Sequence, residues 1–256
     1  MLGKLLASVG IGGATVDTIL DTPHVELGGA VSGRIAVKGG GVPQEITEIG
    51  VEVCTEVLVE ANDTKTLQSR AIAAFTVTKG FSVEPGARHE LRFEIPLPLF
   101  TPVALGRDRS QAWLRTRLDI PMALDSVDND ALVVAPAPVQ RDAFAAMEAL
   151  GFRLYKSDVE HRPRWHGGHG FVQEFEFKPA GYGRGRFDEV ELVFQPDGRD
   201  GFELLVQVDR SARSLSGFLL EATGMDESWH HVPLPGGLRG PGQSAIQRSL
   251  GQLLGL

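Results

Sequence analysis

Residues 48–60 have the sequence EIGVEVCTEVLVE, in which apolar or β-branched side chains alternate with polar ones. In an extended chain one face would carry Ile49, Val51, Val53, Thr55, Val57 and Val59, and the other would carry Glu48, Glu52, Glu56 and Glu60. A helix would scatter the glutamates around its circumference, whereas a half-buried antiparallel strand places them all in water. The pattern predicts such a strand, with Cys54 on the glutamate side as a partly exposed structural thiol.

The same alternation recurs along the chain and predicts further strands. It is present at residues 31–37, 91–95, 114–120, 171–177 and 202–208. Glycine- and proline-rich turns such as Gly39–Gly41 and Glu84–Gly86 separate the earlier runs. Many half-buried strands without intervening helices are typical of a β-sandwich, so we predict an all-β fold.

The length favours two domains, since a domain usually takes about 100–150 residues of a 256-residue chain. An aspartate- and proline-containing stretch, 125–138, predicts the boundary between domains 1–135 and 136–256. We expect a helix at the start of the second domain, about Gln140–Leu150. A C-terminal amphipathic helix is also expected, with Ser244 and Gln247 at capping-box spacing.

Charge and cysteine content restrict the partners and the compartment. The formal net charge is −8 and neither half is strongly basic, which argues against nucleic acid as a partner. A single cysteine permits no intrachain disulfide and suits a reducing compartment. Glycines interrupt the apolar start, and no apolar run reaches the ~18 residues of a membrane span. We therefore expect a cytoplasmic protein without a transmembrane segment.

Histidines in one loop form the candidate metal site. They are His161, His166 and His169, with His230 and His231 as further candidates. Three histidines can bind zinc or copper, but their spacings match no helical ligand pair and arginines lie among them. A solvated loop is the favoured interpretation. Gly181–Arg186 resembles a phosphate loop but precedes a predicted strand, and the aspartate turns lack the distal glutamate of a calcium loop.

Three surface features suit a partner. Sandwich edges leave unpaired amides and carbonyls to which an extended peptide can add. Six arginines of the second half could converge on an acidic or phosphorylated segment: Arg162, Arg164, Arg184, Arg186, Arg210 and Arg213. The favoured interpretation is that these arginines are scattered over the surface and solvated. Apolar stripes at both termini would dock on the sandwiches, pair between subunits as a homo-oligomer or touch a membrane surface, with docking as the default.

Several segments in order resemble the bacterial sporulation-control proteins with an arrestin-like fold. They are Leu5–Gly12, Val16–Thr18, Val37–Gly40, Gln44–Ile46, Leu150–Leu154, Phe171–Phe177, Phe187–Glu189 and Val206–Arg210. The resemblance implies two tandem arrestin-like β-sandwiches with one or two short helices, and a regulatory or adaptor role in the cytosol. It brings no catalytic residues and no cofactor.

Our leading hypothesis is a non-enzymatic adaptor that binds a protein or peptide at a sheet edge or an inter-domain groove. The chain carries no nucleophile elbow, and its paired carboxylates fit a solvated strand face. The alternative is a metal-binding protein or metal-dependent enzyme that uses the histidine loop. A third possibility is a ligand-binding module, for carbohydrate as one example, that uses exposed Trp113, Trp165 or Trp229.

Overall fold

A computed structural model describes most of the chain. The described residues are 13–61, 64–105, 112–121, 125–163, 169–180, 186–209 and 229–256. Eight strands precede the first described helix: β1 (Thr15–Leu20), β2 (His24–Glu26), β3 (Ala30–Lys38), β4 (Gln44–Ala61), β5 (Thr64–Val83), β6 (Arg88–Pro96), β7 (Ala112–Asp119) and β8 (Ser126–Ala135). Helix α1 (Pro138–Ala149) follows, then β9 (Phe152–His161), β10 (Phe171–Pro179), β11 (Glu189–Pro196), β12 (Phe202–Asp209), β13 (His230–Pro233) and helix α2 (Gln243–Leu254).

Strands dominate the described residues, which contain two short α-helices, and this confirms the predicted all-β class. The chain forms two compact units, one of Met1–Glu56 with Ser69–Ala135 and one of Val57–Gln68 with Pro136–Leu256. The second unit thus takes in the stretch where β4 ends and β5 begins. The predicted domains 1–135 and 136–256 and their arrestin-like form stay predictions.

The first unit contains two sets of strands. β3 lies between β1 and β6, and all three are antiparallel. In the other set β4 lies between β5 and β7, with β8 and β2 beyond β7. The predicted dry faces are confirmed, because Val31, Ile35, Ile49, Val51 and Val53 are all buried.

Side-chain acceptors link β1 to β8 within this unit. The N–H of Val16 donates to Ser126 Oγ at 3.2 Å, and the N–H of Thr18 donates to Asp128 Oδ2 at 2.6 Å. The Thr18 hydroxyl also lies 2.6 Å from the buried hydroxyl of Thr116 on β7. These bonds use main-chain donors that an edge strand would otherwise expose.

In the part of the second unit that the structure describes, an antiparallel sheet is accompanied by the helices α1 and α2. Its strand order is β9-β10-β11-β12-β13, and Leu58 of β4 forms a parallel bridge with Glu160 of β9. Phe144 of α1 packs on Phe175 and Phe194, with ring centroids 5.0 and 5.8 Å apart. Helix α1 is predicted at about Gln140–Leu150 and in fact begins two residues earlier and ends one residue earlier, with Pro138 well suited to the first helical turn.

Two local expectations are wrong. Ser244 does not cap α2, because the helix already begins at Gln243 and its cap is Gly242, whose φ of 87° and ψ of 154° suit glycine. Cys54 is fully buried, and it pairs across β4 and β7 with Trp113. Burial raises the pKa of its thiol, against a smaller lowering by Arg115, so the thiol is held neutral in the interior.

Among the described residues, no helix has both the length and the apolar character needed to cross a bilayer.

Candidate partner-binding edge

Strand edges differ in how well their main-chain groups are protected from another chain. Native proteins protect an edge by keeping it short, by placing charges or proline on it, or by covering it. In the first unit β1 uses its amides for Ser126 and Asp128, and β2 has only three residues. β6 is charged at Arg88, Glu90, Arg92 and Glu94. In the second unit β13 has four residues and ends at a proline.

β5 has none of these protections over much of its length. It extends over 20 residues, and β4 is its one partner among the strands of the described chain. From Ala71 to Thr78 it carries no charge, no proline and no glycine. A long, uncharged edge of this kind is a template for an additional strand.

The orientation of the main-chain groups of β5 follows from its contact with Gly50 of β4. The carbonyl oxygen of Phe75 lies 3.8 Å from the place a Cβ would take on Gly50, so this oxygen points towards β4. Successive residues of a strand direct their N–H and C=O groups to alternate sides. Ala74 and Thr76 therefore direct theirs to the free side.

Side chains anchor β5 to β4 on its other side. Glu48 accepts a hydrogen bond from the Thr76 hydroxyl at 2.9 Å and pairs with Lys79 at 3.5 Å. Ser82 donates to Glu45 at 2.5 Å. These bonds hold the strand extended without using the main-chain groups of its free edge, so an incoming strand would find an ordered template.

The charges of β5 are all of one sign. Lys65, Arg70 and Lys79 are its charged residues, and they bracket the uncharged run Ala71–Thr78. Lys65 lies 3.6 Å from Glu60, and more than half of each side chain is exposed. The edge thus combines an uncharged centre with basic flanks.

β5 is absent from the strands predicted above, although part of its sequence signals one. Phe75 and Val77 alternate with Thr76 and Thr78, all residue types that favour strands. The preceding run Ala71–Ala74 is dominated by alanine, which carries no period-two signal.

Two of the six candidate arginines lie in described segments, and both bind groups of their own chain. Arg162 Nη2 is 3.0 Å from Glu174 Oε1 and 3.1 Å from Glu160. Arg186 donates to the carbonyl of Gly255, at the end of α2, at 3.1 Å. The other four lie outside the described residues: Arg164, Arg184, Arg210 and Arg213. Their convergence stays a prediction.

Of the histidine loop, His161 ends β9 and His169 is exposed, while His166 lies outside the described residues. His161 pairs in register with Phe171 of β10. Although the residue is exposed, partial desolvation of its ring lowers the pKa of His169 and favours the neutral form. Within the described ranges no three histidine, cysteine or acidic side chains come together as metal ligands would.

The second unit has an acidic face around Glu191, on the side of β10 and β11 that also carries Glu174. Glu191 lies directly opposite Glu176 across the two strands, and the attraction of Arg162 lowers its pKa by less than burial and the neighbouring carboxylates raise it. Burial, then the carboxylates of Glu174, Glu189 and Glu176, raises the pKa of Glu191 to about 7. The face thus holds a carboxyl group that titrates near neutrality.

We expect the stability of the protein to fall as the pH rises through 7. The pKa of Glu191 is higher in the folded than in the unfolded protein, so the folded state binds its proton more tightly. The resulting contribution to the free energy of unfolding is fully present below about pH 4.5 and is lost as the pH rises to about 7. Glu191→Gln should lessen the fall between acid and alkaline pH by about 1 kcal/mol, allowing for partial exposure. Urea unfolding across this range checks it, with Glu90→Gln as the exposed-strand control. Equal pH profiles for Glu191→Gln and the wild type would contradict the expectation.

Comparisons with known proteins match one family over most of the chain. The sequence profile described as SpoOM protein matches residues 2–212. Sporulation-control protein Spo0M of Bacillus subtilis is 40% identical over 219 residues, 85% of this chain and 84% of that protein. The crystal structure of Spo0M from Bacillus subtilis superposes with a TM-score of 0.79 at 32% identity, covering 96% of this chain and 99% of that one. With a matching profile, a full-length relative and a shared fold, the chain belongs to the SpoOM family of sporulation-control proteins.

Proposed function

We propose that this protein is a non-enzymatic regulatory adaptor that takes up an extended segment of a partner protein along the free edge of β5. Its family membership supports a regulatory role, since the relative is named for the control of sporulation. The observation that carries the proposal is the uncharged run Ala71–Thr78, which has β4 on one side and no strand of the described chain on the other.

Main-chain pairing on β5 would not by itself hold a partner segment. Each new hydrogen bond contributes about 1 kcal/mol net, whereas ordering each residue of the incoming segment costs about 1–2 kcal/mol. Side-chain contacts must therefore supply the surplus, and half-buried Phe75 and Val77 offer apolar surface beside the edge. This balance suits a regulatory contact that forms and releases.

The decisive change is Ala74→Pro. Proline lacks an N–H and is tolerated on edge strands, so it removes a donor from the free side while leaving the pairing of Phe75 with β4. Ala74→Val is the matched control, because valine keeps the donor and favours strands. We expect a peptide chosen by the wild type from a display library of short random peptides to bind Ala74→Pro about tenfold more weakly. Binding to Ala74→Val should be unchanged.

Titration calorimetry gives these affinities, and hydrogen exchange locates the peptide. Amides of Ala71–Thr78 should exchange more slowly with the peptide bound. Thermal unfolding of Ala74→Pro shows whether the variant remains folded. A folded Ala74→Pro that binds like the wild type, or protection confined to other strands, would refute the proposal.

A further inference from the structure

Strand β6 carries exposed charges that alternate in sign along one face. Among the described strands it ends the set β1-β3-β6, and the four charged residues are Arg88, Glu90, Arg92 and Glu94. Their own sheet does not neutralise the arginines, because Lys38 of β3 lies opposite Arg88, and Arg34 lies opposite Arg92. Like charges directly opposite each other on a sheet are destabilising. A strand added at this edge would relieve both arginines if it brought carboxylates to them.

The main-chain groups of these four residues point to the free side of β6. Just beyond the two ends of the strand, the N–H of Leu97 donates to the carbonyl of Gly29, and the carbonyl of Ala87 accepts from the N–H of Gly39. Odd-numbered residues therefore direct their N–H and C=O groups to β3. Successive residues direct these groups to alternate sides, so the even-numbered residues 88–94 offer theirs to an incoming strand.

A second copy of β6 matches this edge in one antiparallel register, with the two-fold axis at Leu91. Glu90 then lies opposite Arg92 of the other copy, and Arg88 lies opposite Glu94. All of these residues direct their main-chain groups across the gap, as paired residues of antiparallel strands must. A slip of two residues in either direction would place arginine against arginine and glutamate against glutamate. A slip of one residue would turn the main-chain groups of one strand away.

We propose that β6 is a self-association edge, which pairs in this antiparallel register with β6 of a second copy of this chain. Charge complementarity selects this occupant, since the order Arg-x-Glu-x-Arg-x-Glu is its own complement when it is read in reverse. The same charges repel strands with another order, so one set of residues both protects the edge and recognises a copy. This inference does not depend on the proposed function, which concerns β5.

Self-association through β6 should be weak, because exposed ion pairs contribute little and a single pair of strands buries a small area. We expect the wild type to be monomeric at about 10 μM and partly dimeric at about 1 mM. Sedimentation equilibrium measures this association. Unfolding experiments at about 10 μM or below then concern the monomer.

Charge reversal at the central pair tests the register. Glu90→Arg and Arg92→Glu each place like charges opposite each other, so each variant should dimerise at least about tenfold more weakly than the wild type. An equimolar mixture of these two variants should associate again, since each supplies the charges that the other lacks. The double variant Glu90→Arg, Arg92→Glu should also dimerise like the wild type, because its charges remain complementary in the same register.

Two variants serve as controls. Arg153→Glu makes the same change in net charge as Arg92→Glu at an exposed position of β9, and Ala74→Pro changes the edge of β5. Both should associate like the wild type. A wild type that stays monomeric at about 1 mM would overturn the proposal. A dimer that persists in Arg92→Glu, or a mixture of the single variants that stays monomeric, would overturn it too. Loss of the dimer in Ala74→Pro would assign self-association to β5 instead.

Discussion

Replacing Arg162 with alanine is expected to lower the free energy of unfolding by about 2–3 kcal/mol. Its Nε and Nη2 atoms lie 3.1 and 3.0 Å from one oxygen of Glu174, a carboxylate that is only 5% exposed. Breaking a fully buried pair costs about 3–5 kcal/mol, and the estimate is lower here because the guanidinium is about half exposed. Equilibrium denaturation in urea measures the loss.

The pH dependence of this loss distinguishes charge from packing. Burial already raises the pKa of Glu174, while Arg162 opposes that rise. Without Arg162 the pKa should rise further, so protonation relieves the defect at acid pH and the defect is largest at alkaline pH. A loss that is equal at both extremes would indicate that the arginine acts through its packed stem.

Adding Glu174→Val to Arg162→Ala tests whether removing the unpaired carboxylate restores stability. Glu174 lies opposite Val193 across β10 and β11, and Val193 packs with Val172 and Leu205 in a buried cluster. A valine at 174 would extend that cluster and remove the unpaired charge. We expect the free energy of unfolding of the double variant to lie within about 1 kcal/mol of the wild-type value, since well-packed apolar residues can replace an ion pair. A double variant as unstable as Arg162→Ala would contradict this account.

Glu174 also shows a limit of predicting burial from an alternating sequence pattern. The alternation in 171–177 correctly predicts a strand with Phe175 and Phe177 on a dry face. The same alternation places Glu174 on the opposite face, and that face is covered too, because Glu174, Val172, Val193 and Leu205 are all buried there. A period reports which side chains share a face, and whether that face is covered depends on elements distant in sequence.

The candidate partner-binding edge of β5 could be predicted only in part from the sequence. The alternation in 48–60 predicts β4, and general sandwich architecture predicts that some strand edges are open. Which edge is open depends on tertiary pairing: β1 is protected by Ser126 and Asp128, more than a hundred residues away. Likewise, Cys54 is buried and lies opposite Trp113 of β7, a long-range partner that its local pattern does not reveal.

Gly33→Ala should destabilise the protein by about 2–3 kcal/mol, because β3 approaches its neighbours too closely there for a side chain. A Cβ on Gly33 would lie 2.5 Å from the carbonyl oxygen of Ile19 and 3.1 Å from the Phe93 ring. The first of these atoms is backbone of β1, so relief requires a shift of that strand. The shift should loosen the bonds that β1 donates to β8.

Gly50→Ala is the matched control for this prediction, since it makes the same change on another strand. A Cβ there would find its nearest atoms 3.7 and 3.8 Å away, an ordinary contact distance. Replacing an unstrained glycine reduces the entropy of the unfolded chain, so Gly50→Ala should be neutral or stabilising by up to about 1 kcal/mol. Urea unfolding compares the two variants, and hydrogen exchange should show faster exchange at Val16 and Thr18 in Gly33→Ala alone. Equal stability of the two variants would mean that β1 can yield at Ile19 without cost, and the close approach at Gly33 would then carry no structural role.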